Sequence, residues 1–134
     1  MGAFLLIEQY MGLYKPWVLI DKVLSYTDNE IYTQKLITFS DFFLIGHFPT
    51  SSIYPGVLLA EGVIQSSQIF MRIRGQNQVV RPTKMSSKFL QTVVPGDIIT
   101  YHLQINKVID SAYNFIGAAF IGERQVLDIK VSFE

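Results

Sequence analysis

Cysteine is missing from all 134 residues, which excludes a disulfide framework, a thiolate zinc site and a cysteine nucleophile together. Charge is scarce: only 16% of the residues are Asp, Glu, Lys or Arg, below the usual share of about a quarter. Lys plus Arg and Asp plus Glu each number 11, so the formal net charge is zero. No overall field draws such a chain to nucleic acid or to a membrane surface, and attraction to a charged partner has to come from a local patch. Long apolar runs are absent too. Phe4-Leu5-Leu6-Ile7 is short and has no basic segment before it, and no stretch reaches the roughly 18 residues of a membrane span. A cytoplasmic chain without a signal segment or membrane insertion is the expectation.

What is present is apolar side chain, at 49% of residues. A chain of this length suits one domain, 1–134, with one core. With so little charge to cover a free surface, a buried oligomer interface is the natural outlet for the excess. No linker, repeat or low-complexity segment interrupts it.

Trp17 to Tyr26 is rich in β-branched and aromatic residues, Thr27-Asp28-Asn29-Glu30 suits a turn, and Ile31 to Thr38 resumes a strand pattern, which together suggest a hairpin. An irregular stretch from Phe39 to Tyr54 leads into Pro55 to Ile73, the one convincing helix. Pro55 fits a helix start and Gly75 a helix stop. Val57, Leu58, Leu59, Ala60, Val63, Ile64, Ile69, Phe70 and Met71 lie nearly all round it, as in a helix buried on most sides. Strands follow. Ile99, Tyr101, Leu103 and Ile105 alternate with polar residues, as do Leu127, Ile129, Val131 and Phe133, and Tyr113 to Ile121 is a further strand. Pro95-Gly96-Asp97 and Gly122-Glu123-Arg124 suit tight turns. The fold class is therefore α+β: one long helix, about residues 55–73, wrapped by about five or six antiparallel strands.

Few residues offer chemistry. Of the two histidines, His102 lies on the polar phase of an alternating strand and is expected at the surface. His47 lies between Gly46 and Phe48-Pro49 in the irregular stretch before the helix; taken alone, a structural or incidental histidine accounts for it. Glu61 sits inside the apolar run of the helix. A carboxylate there either meets a cation or opens to solvent, or burial keeps it protonated near neutral pH. Gln65, one turn on, can hydrogen-bond it and fix its rotamer. Gly56 places a backbone N–H at the positive end of the helix, where a carbonyl oxygen gaining charge is stabilised. Base, acid and oxyanion donor would be the parts for removing a proton beside a thioester carbonyl with loss of a β-hydroxyl. Periodicity does not show that they converge.

The ordered set Gly46-His47-Phe48-Pro49, Pro55-Gly56-Val57-Leu58, Glu61 and Gln65, with Glu61 14 positions after His47, closely resembles the signature of the 3-hydroxyacyl-[acyl-carrier-protein] dehydratases, the FabZ/FabA family. Pro16 to Val23 looks like the family's first strand, and Lys88-Phe89 followed by Val93-Val94-Pro95-Gly96-Asp97 like its strand and turn after the helix. The resemblance implies a hotdog fold and paired protomers, with His47 of one facing Glu61 of the other. His47 would take the C2 proton, its other nitrogen held by a backbone carbonyl, that of Ile53. Glu61 would protonate the departing hydroxyl and Gly56 N–H would steady the enolate-like oxygen. No metal or redox cofactor is implied; the substrate would ride on the phosphopantetheine arm of an acyl carrier protein. The assembly would be a homodimer, a trimer of dimers, or a heterodimer with a related subunit. Glu rather than Asp at 61 looks more like the simple FabZ-type dehydratase branch than the isomerising one.

Some positions depart from the family pattern: Ser40 to Leu44 before the His47 motif, Ser52, Tyr54, and Gly62-Val63-Ile64 in place of an alanine-rich turn. They bear on tunnel shape, and leave a specialised polyene or polyketide-type pathway open beside fatty-acid synthesis. Phe43, Phe48 and Tyr54 are tunnel candidates, with core packing as the default for each. Arg72, Arg74, Arg81, Lys84 and Lys88 are candidates for a carrier-protein patch, against an ordinary solvated face. Two other functions compete: a hotdog thioesterase, which has no need of the His47 motif, and a non-catalytic partner subunit, which would be expected to lose His47 or Glu61.

Overall fold

The computed structural model describes residues 18–41, 53–76, 81–110 and 112–134. Six strands and one helix make up these segments: β1 (Lys22–Tyr26), β2 (Glu30–Leu36), α1 (Gly56–Ile73), β3 (Pro82–Phe89), β4 (Ile98–Ile109), β5 (Ala112–Ile121) and β6 (Arg124–Phe133). The strands form one sheet in the order β1-β2-β4-β5-β6-β3, with every neighbouring pair antiparallel. The expected α+β architecture, a sheet folded around one long helix, is what forms. Among the described residues no helix is long and apolar enough to cross a membrane.

Alternation decides which face of the sheet meets the helix. Thr33, Tyr101, Ala119 and Leu127 stand side by side across β2, β4, β5 and β6, and all are buried. One position along, Tyr32, His102, Ala118, Asp128 and Lys88 line up on the other face. A period of two sends successive side chains to opposite faces, so one register fixes both rows. The core gathers Leu103, Phe115, Ile129, Val131 and Phe133 under Leu59, Val63, Ile69 and Phe70 of α1.

The hairpin forms at its expected place, but β1 starts later than the apolar run suggests. Leu19 and Ile20 are buried before the first ladder bond, because the Leu19 N–H is taken by a helix side chain instead. Thr27 shapes the turn, its Oγ1 accepting the N–H groups of Asn29 and Glu30. Helix α1 begins at Gly56, with Pro55 as its extended N-cap at φ −60° and ψ 132°. It ends as expected: Gly75 takes the left-handed conformation at φ 100° while its N–H and that of Gln76 cap the carbonyls of Arg72 and Met71.

The apolar girdle of α1 is not covered everywhere. Val57 is 68% exposed. Edge strand β3 is open too, with Met85 and Phe89 about half exposed. Its sequence, PTKMSSKF, lacks alternation, so only its Lys88-Phe89 end was legible beforehand.

Candidate active site

The site is built from the first half of α1. Glu61 is half-buried there, one turn before Gln65, which is wholly buried. Gln65 Nε2 donates to Glu61 Oε1 at 3.3 Å. The Gln65 amide cannot turn over, because its Oε1 accepts the Leu19 backbone N–H at 2.8 Å and needs to remain an acceptor there. The chain segment before β1 thereby orients the Glu61 carboxyl through one side chain.

Five residues before Glu61, about 7.5 Å back along the helix axis, Gly56 opens the helix. Its first amides have no intrahelical acceptor and carry the positive end of the helix dipole. The Phe89 ring lies against Gly56 so closely that an added Cβ would sit 3.0 Å from two ring carbons. A side chain here would have to push the ring aside, and the half-exposed ring borders the amide that the sequence marks as an oxyanion donor.

A polar seam runs beneath the helix. Ser66 Oγ donates to the Gly62 carbonyl at 2.8 Å and meets Thr33 Oγ1 at 2.8 Å, while Ser67 Oγ donates to the Val63 carbonyl. Beside it stand two buried phenols, Tyr54 and Tyr101, whose hydroxyls have no hydrogen-bond partner among the described residues. Burial pushes both well above the ordinary tyrosine range, and the Asp21 carboxylate adds to the push on each. Tyr54 is thus core, 2% exposed, as core packing predicts. Sequence reasoning missed this seam; the two serines inside an apolar helix were its visible signal.

A second cluster was also missed. Lys35 Nζ lies 3.5 Å from Asp41 Oδ2 and 3.7 Å from Asp21 Oδ2, with only 12% of its side chain exposed. Asp21 Oδ2 accepts the Leu36 N–H at 2.7 Å as well. Here one cation and two carboxylates form an ordered ion cluster.

Other candidates are scattered or spoken for. His47, Phe43 and Phe48 lie outside the described residues; Ile53 is half-buried just before the helix cap. His102 is not the free surface residue expected: it stacks on Tyr32 at 4.2 Å and its Nε2 lies 3.1 Å from Glu30 Oε2. Flanking side chains on neighbouring strands cover it. The five basic candidates differ in their surroundings. Arg74 is engaged, its guanidinium donating to the Asp28 carbonyl and lying over Phe70 and Tyr113. Arg72 is in the last turn of α1, whereas Lys84 and Lys88 project from the outer side of β3, in register with Ser132 and Asp128.

Residues 14–130 match the FabA-like domain. The chain belongs to the FabA-like family. It is 33% identical over 127 residues to the 3-hydroxyacyl-[acyl-carrier-protein] dehydratase FabZ of Chlamydia muridarum, covering 88% of this chain and 82% of that one. In three dimensions the FabA-like chain resembles the dehydratase heterocomplex ApeI:P from Xenorhabdus doucetiae, at 13% identity and a TM-score of 0.81, over 95% of this chain and 88% of that one. A hypothetical thioesterase protein from Streptococcus pneumoniae shares the fold at 12% identity and a TM-score of 0.69, over 84% and 82% of the two chains. The architecture is the hotdog fold.

Proposed function

We propose that this chain removes water from 3-hydroxyacyl thioesters carried on acyl carrier protein, giving trans-2-enoyl thioesters. The observation that carries this is the Glu61 carboxyl on α1, oriented by Gln65 and Leu19, in a FabA-like domain. His47 removes the C2 proton, with its second nitrogen held by the Ile53 carbonyl. Glu61 protonates the 3-hydroxyl as the C3–O bond breaks, so C2=C3 forms and water leaves. Gly56 N–H stabilises the charge that collects on the thioester oxygen. An acid–base pair contributes on the order of 10²–10⁴-fold; positioning and the oxyanion donor supply the rest. No metal or redox group takes part.

Two protomers complete the site, His47 of one meeting Glu61 of the other. The uncovered edge strand β3, with Met85 and Phe89 half exposed and the Phe89 ring against Gly56, supports a second copy docking there. The enzyme works in the cytoplasm, and the carrier meets a basic patch that includes Lys84 and Lys88.

Purified protein with carrier-bound substrates of several chain lengths tests the proposal. Interconversion of 3-hydroxyacyl and enoyl forms is expected, and His47→Ala and Glu61→Gln each lower the rate at least about tenfold with the fold intact. A wild type inert on every chain length contradicts the dehydratase, and release of free thiol from acyl thioesters points to the thioesterase instead.

A further inference from the structure

The height of Glu61 above the sheet is set by two close contacts at the residues that follow it. Tyr101 rises from β4, wholly buried, and its phenol lies on the backbone of Gly62. A Cβ at Gly62 would sit 2.5 Å from Tyr101 Cζ and well inside van der Waals contact distance of the phenol oxygen. The next residue makes the reverse contact. Val63 drops from the helix onto Gly117 of β5, where an added Cβ would lie 3.3 Å from Val63 Cγ1 and 2.9 Å from Ile129 Cγ2. Sheet enters helix at Tyr101–Gly62, and helix enters sheet at Val63–Gly117. Ser66 Oγ, donating to the Gly62 carbonyl and accepting from Thr33 Oγ1, whose residue is the register partner of Tyr101, then holds the rotation of the same turn.

Packing alone does not call for this arrangement. Alanine at 62 over a smaller residue at 101 fills similar space with a far better helix former, and phenylalanine at 101 avoids burying a hydroxyl that has no partner among the described residues. Both unfavourable choices fall beside the proposed acid, and departures from local preference concentrate at functional sites.

We propose that Tyr101 and Gly62 are a matched pair that positions Glu61, Tyr101 acting as a positioning residue through the helix backbone; this rests on Glu61 being the acid of the dehydratase. The phenol props the turn and the missing Cβ lets it approach. Enlarging residue 62 lifts or rotates the turn and moves the carboxyl off the departing hydroxyl.

The test is a double-mutant cycle in the full-length protein, with G62A, Y101L and both together, read by steady-state kinetics and thermal melting. G62A is expected to lower kcat at least about tenfold with KM within about twofold, to shift the alkaline limb of the kcat–pH profile, and to lower Tm. In the Y101L background the same change is expected to reverse sign, raising Tm and recovering kcat by at least about threefold. G62A effects of equal sign in both backgrounds overturn the pairing. A drop in Tm with kcat and its pH profile unmoved makes the contact structural and overturns the positioning claim alone. A wild type without dehydratase activity, or E61Q as active as wild type, removes the function on which the claim rests.

Discussion

Gln65 connects Glu61 to the backbone of Leu19, donating to the first at 3.3 Å and accepting from the second at 2.8 Å. Replacing Gln65 by Leu keeps its volume and removes both bonds. The expected result is a kcat about tenfold lower with KM little changed, since the lost contact orients a proton donor rather than binding substrate. The buried Leu19 N–H is left unpaired, which costs about 1–3 kcal/mol in urea unfolding.

The buried phenols make the fold sensitive to alkali. Tyr54 and Tyr101 both hold their protons more tightly folded than unfolded. The stability this represents is whole below the unfolded tyrosine value near 10 and is lost as pH rises above it, because the unfolded chain then releases protons that the folded chain retains. Each phenol steepens the loss by about 1.4 kcal/mol per pH unit. Urea midpoints should show no such slope between about pH 8 and 9 and develop it above about pH 10 in wild type, halved in Tyr54→Phe or Tyr101→Phe. Either variant should also be more stable than wild type at pH 7 by about 1 kcal/mol, since it deletes a buried hydroxyl with no partner among the described residues.

Lys35 neutralises two carboxylates that the fold brings together. Lys35→Met removes the cation that Asp21 and Asp41 share. Breaking a fully buried pair costs about 3–5 kcal/mol, and solvent reaching Asp21, 41% exposed in its side chain, lowers this to about 1–3 kcal/mol. Guanidinium would screen the effect, so urea melts at low and high salt are the proper measurement, with little salt dependence expected from the Asp41 half of the cluster.

The basic residues should separate into two groups. Lys84→Glu and Lys88→Glu together are expected to raise KM for carrier-bound substrate several-fold at low salt, with the difference fading at high salt. Arg74→Ala is expected to lower Tm, since its guanidinium serves Asp28, Phe70 and Tyr113, and to leave KM unchanged. Equal effects of the two replacements on KM would contradict this division.

Much of the fold was legible because its signals are local. The buried phases of β4 and β6, Ile99-Tyr101-Leu103 and Leu127-Ile129-Val131-Phe133, are those that alternation marks. Gly75 and Gly96 sit at positive φ where the stop and the turn were expected. Edge strand β3 was hidden because a strand uncovered on its inner side has no burial to impose alternation. His102 and Arg74 misled for a related reason. Polar phase and positive charge say that a side chain is able to meet solvent, yet Tyr32 with Glu30, and Phe70 with Asp28, occupy them instead.

By itself the sequence determined the helix and its ends, the alternating strands, and the placing of one carboxylate within an apolar helix. These follow from backbone geometry acting over a few residues. Only the tertiary structure decided that Leu19, 46 residues away, would fix the Gln65 amide, that Thr33 would meet Ser66, and that Tyr101 would press on Gly62. Such contacts exist only after sheet register has carried distant strands under the helix, and no local periodicity encodes which side chains then face each other.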